Sequence, residues 1–268
     1  MLAFMLSQVL LAQIIETDEI SSVTHVFKEA DAKSLVIFDV RGVLIAAKDA
    51  VLLDVNKKVK KAFLKRIFKD LPLQEQKKIL SVMYQHPVQV VDPQMPKIIK
   101  DLQTRGVKTM GLTNCRTGTF GEIPSMEKWR VGVLKTQNFD FSRSFPTLKP
   151  CIFKEGTNIG RTYRSGIIFT NRQEKGPILA PFFKYANYFP KKIIFVDNDK
   201  KNLTSVEQFC KKRHIDFIGI HYTAILSRLK KPIVQKRVQL QFDILKKKHQ
   251  WVSDQEADRL LKGKLCKH

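Results

Sequence analysis

Short apolar runs recur along the chain, each bounded by polar or turn residues: LVIF (35–38), VKTMGL (107–112), GIIF (166–169), KIIFV (192–196) and IDFIGI (215–220). Unbroken runs of this length suit strands buried on both faces. Helical periodicity separates them. Residues 55–71 place Val55, Val59, Phe63, Ile67 and Phe68 on one stripe with lysines opposite. Residues 73–85, 93–106, 125–137 and 205–214 also read as helices, with Gly106 as a stop signal. Thr17 to Ala30 reads as a short amphipathic helix. Strand and helix in alternation imply right-handed crossovers and a parallel sheet. The predicted fold class is therefore α/β, a Rossmann-like parallel sheet flanked by helices.

Segment lengths divide the chain further. Residues 17–44 and 93–225 make the predicted core. Residues 45–92 exceed what a crossover needs and read as a helical cap insert over the sheet's carboxyl edge. Within 114–165, FDFSRSFPTLKP reads as a loop or short hairpin. Residues 226–268 read as a basic helical extension, in which SDQE (253–256) is a capping-box signature opening a last helix that stops near Gly263. Residues 1–16 form an apolar N-terminal segment. Its MLAFMLSQVLLAQ is too short to span a bilayer. It reads either as the apolar region of an export signal with Ala12 near a cut, though no Lys or Arg precedes it, or as a packed helix. The first reading implies an exported, periplasmic or secreted protein, the second a cytoplasmic one.

Charge changes the picture in one respect. Lys and Arg number 48 against 25 Asp and Glu, a net charge of +23. A field of that sign attracts phosphates, nucleic acid and anionic lipid. From His221 to His268, twelve basic residues face four acidic ones. The extension is thus either a solvated basic face or a docking surface for an anionic membrane or nucleic acid. A hydrophobic fraction of 43% argues against wholesale disorder. The four cysteines, Cys115, Cys151, Cys210 and Cys266, form no CxxC pair or zinc-spaced cluster. They read as reduced thiols unless the protein is exported.

The candidate chemistry lies at the strand ends, because open parallel sheets bind ligands beyond their carboxyl edge. Asp39 follows the first apolar run. Thr113 and Asn114 follow the second, Thr170 and Asn171 the third with Lys175 beyond, and Asp197, Asn198 and Asp199 the fourth. Together they would make a rim for a divalent cation and a phosphate. Asp39 can attack phosphorus. Asp39 and Asp197 suit Mg²⁺. Thr113 can hold a phosphoryl oxygen and Lys175 can neutralise shared charge. Gly42 permits a sharp turn beside the ligand, and Arg116 can contact substrate. His86, His221 and His249 read as isolated surface or satisfied histidines, and Cys115 lacks an evident base.

The order Asp39-x-x-Gly-Val-Leu, Thr113-Asn114, Lys175 and Val-Asp197-Asn-Asp199 resembles the four motifs of the HAD (haloacid dehalogenase-like) phosphohydrolase superfamily over roughly residues 14 to 225. IIETDEISSV, EKWRVGVLK, FDFSRSF, KGPIL, FVDNDKKNL and FIGIHYTA are similar to a HAD-like group of intracellular bacteria, often with export signals. The resemblance implies a Rossmann-like core, a cap and Mg²⁺-dependent phosphate-ester chemistry with Asp39 as nucleophile. It further implies metal ligation by Asp39, Asp197 and the main-chain carbonyl of Arg41. The expected partner is a phosphorylated small molecule or a phosphoprotein.

One position breaks the pattern. Where such phosphohydrolases carry an acidic proton donor two residues after the nucleophile, this chain has Arg41. A guanidinium stays charged and cannot donate that proton. Three arrangements stay open: Arg41 pairs with Asp39, binds phosphate bidentately, or swings out. The function is then either a slow or specialised phosphatase or phosphotransferase, or a silent phosphate- or partner-binding module.

Overall fold

The computed structural model describes residues 12–154 and 160–265. β1 (Ala12–Thr17) leads into a short α1 (Thr24–Lys28) and β2 (Ser34–Phe38). β3 (Ile45–Ala47), α2 (Lys57–Phe68), α3 (Leu73–Tyr84) and β4 (Val88–Val90) follow. Then come α4 (Met95–Thr104), β5 (Lys108–Thr113), α5 (Met126–Thr136), β6 (Cys151–Phe153), β7 (Arg161–Arg164) and β8 (Ile167–Phe169). α6 (Leu179–Ala186), β9 (Lys192–Asp197), α7 (Lys200–Arg213) and β10 (Asp216–Tyr222) complete the alternation. α8 (Ala224–Ser227), α9 (Gln235–Lys248) and α10 (Asp254–Leu265) close it.

Eight strands form one sheet in the order β1-β10-β9-β2-β5-β8-β7-β6. The pairs from β1 through β8 are parallel, and β7 and β6 add an antiparallel edge. This is the α/β, Rossmann-like class that the alternation predicts. Period-two geometry explains why its central strands carry no polar alternation. In β2, Val36 and Phe38 enter one core with Ile194, Val196, Ile218 and Ile220. Leu35 and Ile37 enter the opposite core with Ile193, Phe195 and Phe217. Each such buried side chain contributes about 1.5–3 kcal/mol.

Several elements differ from the sequence expectation. Residues 1–11 lie outside the described residues, so the signal-or-helix alternative falls there. Ala12 to Glu16, assigned above to the N-terminal segment, are instead strand residues paired with β10. The helix expected over Thr17–Ala30 shrinks to a 3-10 turn and α1. Thr17 Oγ1 accepts the Glu19 N–H at 3.0 Å and meets Ser22 Oγ at 2.9 Å. Such local bonds compete with helix formation. α7 begins five residues earlier than read, because Asp199 Oδ1 caps it by accepting the Lys201 N–H at 3.0 Å. The irregular region also yields the β7–β8 hairpin, turned by Ser165 and Gly166 at φ of 50° and 77°. A Cβ on Gly166 would lie 2.1 Å from the Phe141 carbonyl oxygen.

The insert enters and leaves through the antiparallel ribbon β3–β4, where Ile45 pairs with Val90 and Ala47 with Val88. α2 buries Phe63 and Ile67, while Val55 lies in the preceding turn and is exposed. The C-terminal segment covers this insert. Phe242 stacks on Phe63 with ring centroids 5.0 Å apart, and Trp251 meets Phe242 edge-on at 5.7 Å. Buried Asp49 accepts hydrogen bonds from Trp251 Nε1 at 2.8 Å and the Asp254 N–H at 2.9 Å. Ser253 caps α10 by accepting the Glu256 N–H at 3.2 Å. α10 does not stop near Gly263 but runs through it to Leu265, since one glycine costs a helix only about 1 kcal/mol. Among the described residues, no helix is long and apolar enough to cross a membrane.

Candidate functional site

Register delivers the strand ends to one place. Phe38 aligns with Val196 across β2 and β9, so the following residues, Asp39 and Asp197, are neighbours. Phe38 aligns with Gly111 and Thr113 with Phe169, which sets Thr113 and Thr170 on the same edge. Lys175 reaches under this edge. Its ammonium donates to Asp39 Oδ1 and, at 2.7 Å, to Asp197 Oδ2. Lys175 and Asp197 are fully buried and Asp39 is 7% exposed.

Asp197 is further fixed by its own surroundings. Its Oδ1 accepts the Asp199 N–H at 2.8 Å and the Asn202 amide at 3.1 Å. On the neighbouring strand end, Thr113 Oγ1 accepts the Cys115 N–H at 3.3 Å, and Thr170 Oγ1 donates to Asn114 Oδ1 at 2.8 Å. Gly42 turns at φ of 98° with the Asn198 side chain laid against it; a Cβ there would lie 2.7 Å from Asn198 Nδ2.

Electrostatics follow from burial. Burial pushes the Asp39 carboxyl up, Lys175 offsets part of that and Asp197 adds to it, leaving it at about 6. For Lys175, burial pulls downward, yet the charges and hydrogen bonds of Asp197 and Asp39 together outweigh it and hold the ammonium above the ordinary lysine range. Breaking such a buried ion group by removing one partner is costly.

Above this floor opens a cleft of about 530 Å³, lined among others by Asp39, Arg41, Thr113, Asn114, Arg116 and Asn198. Arg41 does not pair with Asp39. Its Nη2 donates to Asp54 Oδ1 at 3.0 Å and to the Leu52 carbonyl at 3.2 Å, both at the start of the insert, and its side chain is 40% exposed. The guanidinium is thus neither paired with Asp39 nor released to solvent: Asp54 holds it at the cleft wall. The remaining sequence-named residues, Asp39, Thr113, Asn114, Arg116, Lys175 and Asp197, come together at the cleft or beneath it.

Other residues line the cleft that the sequence did not mark as site residues. Tyr84 and His86 come from the insert, Arg130 from α5, and Arg172 from the loop after β8. His86 lines the cleft rather than standing isolated. Its Nδ1 lies 2.8 Å from the Pro87 carbonyl, and burial, with Arg41, Arg130 and Lys60 nearby, pulls it down to about 4. The ring is neutral at pH 7. Cys115 is pushed up by burial and only partly offset by Arg130, so it stays a thiol. The sequence signal for Arg130 and Arg172 was slight, since a lone arginine in a polar segment has no periodicity to mark it.

Among the described residues no group of three or more His, Cys, Asp and Glu side chains could hold a metal ion. Mg²⁺ asks for less, one or two carboxylates with water and phosphate oxygens. Asp39 and Asp197 meet that, and Arg41's guanidinium stands clear of them.

An uncharacterized protein of Rickettsia prowazekii is 25% identical over 254 residues, 93% of this chain and 92% of the relative. One of Rickettsia bellii is 29% identical over 140 residues, and this chain spans about half of its length (48%). Among solved structures, a haloacid dehalogenase-like family hydrolase from Streptococcus pneumoniae is similar at a TM-score of 0.35 and 10% identity, covering 70% of this chain and 94% of that one. A family model matches residues 16–258, and the chain belongs to that family, described as Protein of unknown function (DUF2608).

Proposed function

We propose that the cleft binds and transfers phosphoryl groups, with Asp39 as nucleophile and a phosphate ester with a good leaving group as substrate. One observation carries the reading: Asp39, Lys175 and Asp197 form a single hydrogen-bonded unit under a cleft that Thr113 also lines. An Asp39 oxygen forms a bond to phosphorus as the ester P–O bond breaks and its electron pair leaves on oxygen. Water then hydrolyses the aspartyl-phosphate. Thr113 holds a phosphoryl oxygen, and Lys175 keeps Asp39 oriented. Asp39, Asp197 and the Arg41 carbonyl are the groups that would hold Mg²⁺, whose charge would offset the phosphate's.

Arg41 sets the rate and the substrate class. Bound to Asp54, it leaves Asp39 unobstructed but supplies no proton to the leaving oxygen. Loss of a general acid lowers rates by about 10²–10⁴-fold, so aryl or acyl phosphates, which need little protonation, are favoured. Purified protein with Mg²⁺ and an aryl phosphate should turn over slowly, Asp39→Asn should abolish the signal, and Arg41→Asp should raise it. The same Arg41–Asp54 pair also favours a second reading, a silent phosphate-binding module. In that case wild type is as inactive as Asp39→Asn while still binding inorganic phosphate.

A further inference from the structure

We propose that Arg116, Arg130 and Arg172 form a second anion subsite beside Asp39, so that the ligand is a phosphate ester carrying another oxyanion, a phosphate or a carboxylate. The proposal rests on the phosphoryl reading of the Asp39 pocket and names its substrate class. All three arginines line the same cleft as Asp39 and Thr113. They arrive from separate places: the loop after β5, the α5 helix and the loop after β8.

Arg116 Nε and Arg130 Nε are buried and without a hydrogen-bond acceptor. Among the described residues neither guanidinium has a carboxylate in ion-pair range. The buried carboxylate near the start of α5, Glu127, is committed elsewhere: it accepts from the Gly118 N–H, Ser125 Oγ and Thr162 Oγ1 at 3.0–3.1 Å. The Cys115 thiol lies beside Arg130 but carries no charge to match it. Cations taken out of water without a counter-charge destabilise a fold, and a bound anion removes that cost.

Aromatic rings hold these guanidinium groups ready. Arg130 lies over Trp129 with 4.3 Å to the ring centroid, and Arg116 over Phe120 at 4.7 Å. Tyr84, from the insert, stacks on Phe120 at 5.5 Å and Trp129 at 6.5 Å between centroids. A guanidinium held over a ring by its carbon keeps N–H groups available for an oxyanion. Arg172 is aimed by its backbone. It and Asn171 sit at φ of 67° and 51°, two consecutive left-handed residues without glycine. Strain of this kind persists where the surroundings fix it, as at ligand sites. Arg172 Nη2 lies 3.5 Å from Tyr84 Oη.

Charge leads to the same conclusion. Burial pulls Arg130 below the ordinary arginine range, and Arg41 pulls it further, with Cys115 and Asp39 only partly compensating. Arg41 is matched by Asp54, and Lys175 by Asp39 and Asp197. Lys57 and Asp199, which also line the cleft, offset each other in number, so three arginines remain beyond what one phosphate at Asp39 would use.

Calorimetry with Mg²⁺ at fixed ionic strength tests this with matched three-carbon probes: glycerol 3-phosphate, 3-phosphoglycerate and propane-1,3-diyl bisphosphate. The two probes with a second anion should bind about tenfold or more tighter, and the better one identifies carboxylate or phosphate. Arg130→Gln should erase that advantage while glycerol 3-phosphate affinity stays near wild type, and Arg116→Gln should erase the advantage too. Arg172→Gln, outside the stacked pair, gives the same readout if the Arg130 variant does not fold. Equal affinities in wild type, or an advantage that survives the substitutions, overturns the proposal. Failure of the phosphoryl reading looks different: glycerol 3-phosphate and inorganic phosphate both fail to bind. The subsite is then judged by malonate, whose binding must depend on Arg130; malonate indifferent to Arg130→Gln overturns the subsite too.

Discussion

At the scale of single residues, Lys175 decides most. Its ammonium is the counter-charge for two carboxylates that are 7% and 0% exposed. Lys175→Met leaves both without it, and removal of one partner from a buried ion group costs about 3–5 kcal/mol. A urea titration should show that loss, and one under about 1 kcal/mol would mean the carboxylates find another partner. Asp39 gives the matching prediction in pH. The nucleophile must be ionised, and burial lifts its carboxyl to about 6. Turnover of an aryl phosphate should therefore climb with pH and level off, with a midpoint no higher than about 6, because Mg²⁺ held by Asp39 would favour its carboxylate form. The stability sign is opposite. Because the folded value lies above the unfolded value of 3.8, the contribution of Asp39 is fully present below the unfolded value and is lost as pH rises through about 6. Asp39→Asn should flatten that part of the pH–stability curve, and an unchanged slope would assign it to another group.

At the scale of elements, the sites of chemistry are strand ends, and this is why much of the pocket was legible. Strands buried on both faces are mostly apolar, so each one prints a short apolar run, and the polar residue that ends it marks the carboxyl edge. Asp39, Thr113 and Asp197 are those residues. Elements without such a contrast were misread. β1 sits at the sheet edge with half its residues exposed, so its sequence did not separate from the apolar stretch before it. The first turn of α7 is Lys-Lys-Asn, and only the Asp199 cap announces it. Arg130 and Arg172 reach the cleft through tertiary packing, which one-dimensional spacing does not encode. Gly42 tests the element view. Its φ of 98° and the 2.7 Å approach of Asn198 Nδ2 to a built Cβ are separate obstacles to alanine. Gly42→Ala should cost about 1–3 kcal/mol from the backbone alone, plus displacement of Asn198. Adding Asn198→Ala should recover only the steric part, read as a partial return of the urea midpoint; full recovery would show that backbone strain contributes little.

At the scale of the whole molecule, the basic C-terminal helices are structural before they are anything else. They close over the insert through Phe242 on Phe63 and Trp251 on Asp49, and the two-pronged Arg237–Asp258 pair at 2.7 Å ties α9 to α10. Arg228 reaches back to buried Asp92 at 3.1 Å. Deleting residues 228–268 would therefore strip the insert's cover as well as removing charge. The exposed Lys246, Lys247 and Lys248 can be neutralised without touching that cover, and surface changes of this kind usually stay within about 0.5 kcal/mol each. Phe242→Ala, at a fully buried ring, should cost about 3–5 kcal/mol. The further expectation is one cooperative unit, which the chain's two tryptophans can report. Trp129 packs beneath the cleft-lining Arg130 and Trp251 lies in the extension. With Trp129→Phe, fluorescence follows the extension; with Trp251→Phe, it follows the cleft. If packing across the insert couples them, urea midpoints corrected for each substitution should coincide. An extension that melts well before the cleft would show instead that α9 and α10 are an independent brace, and that the cleft's inner wall does not need them.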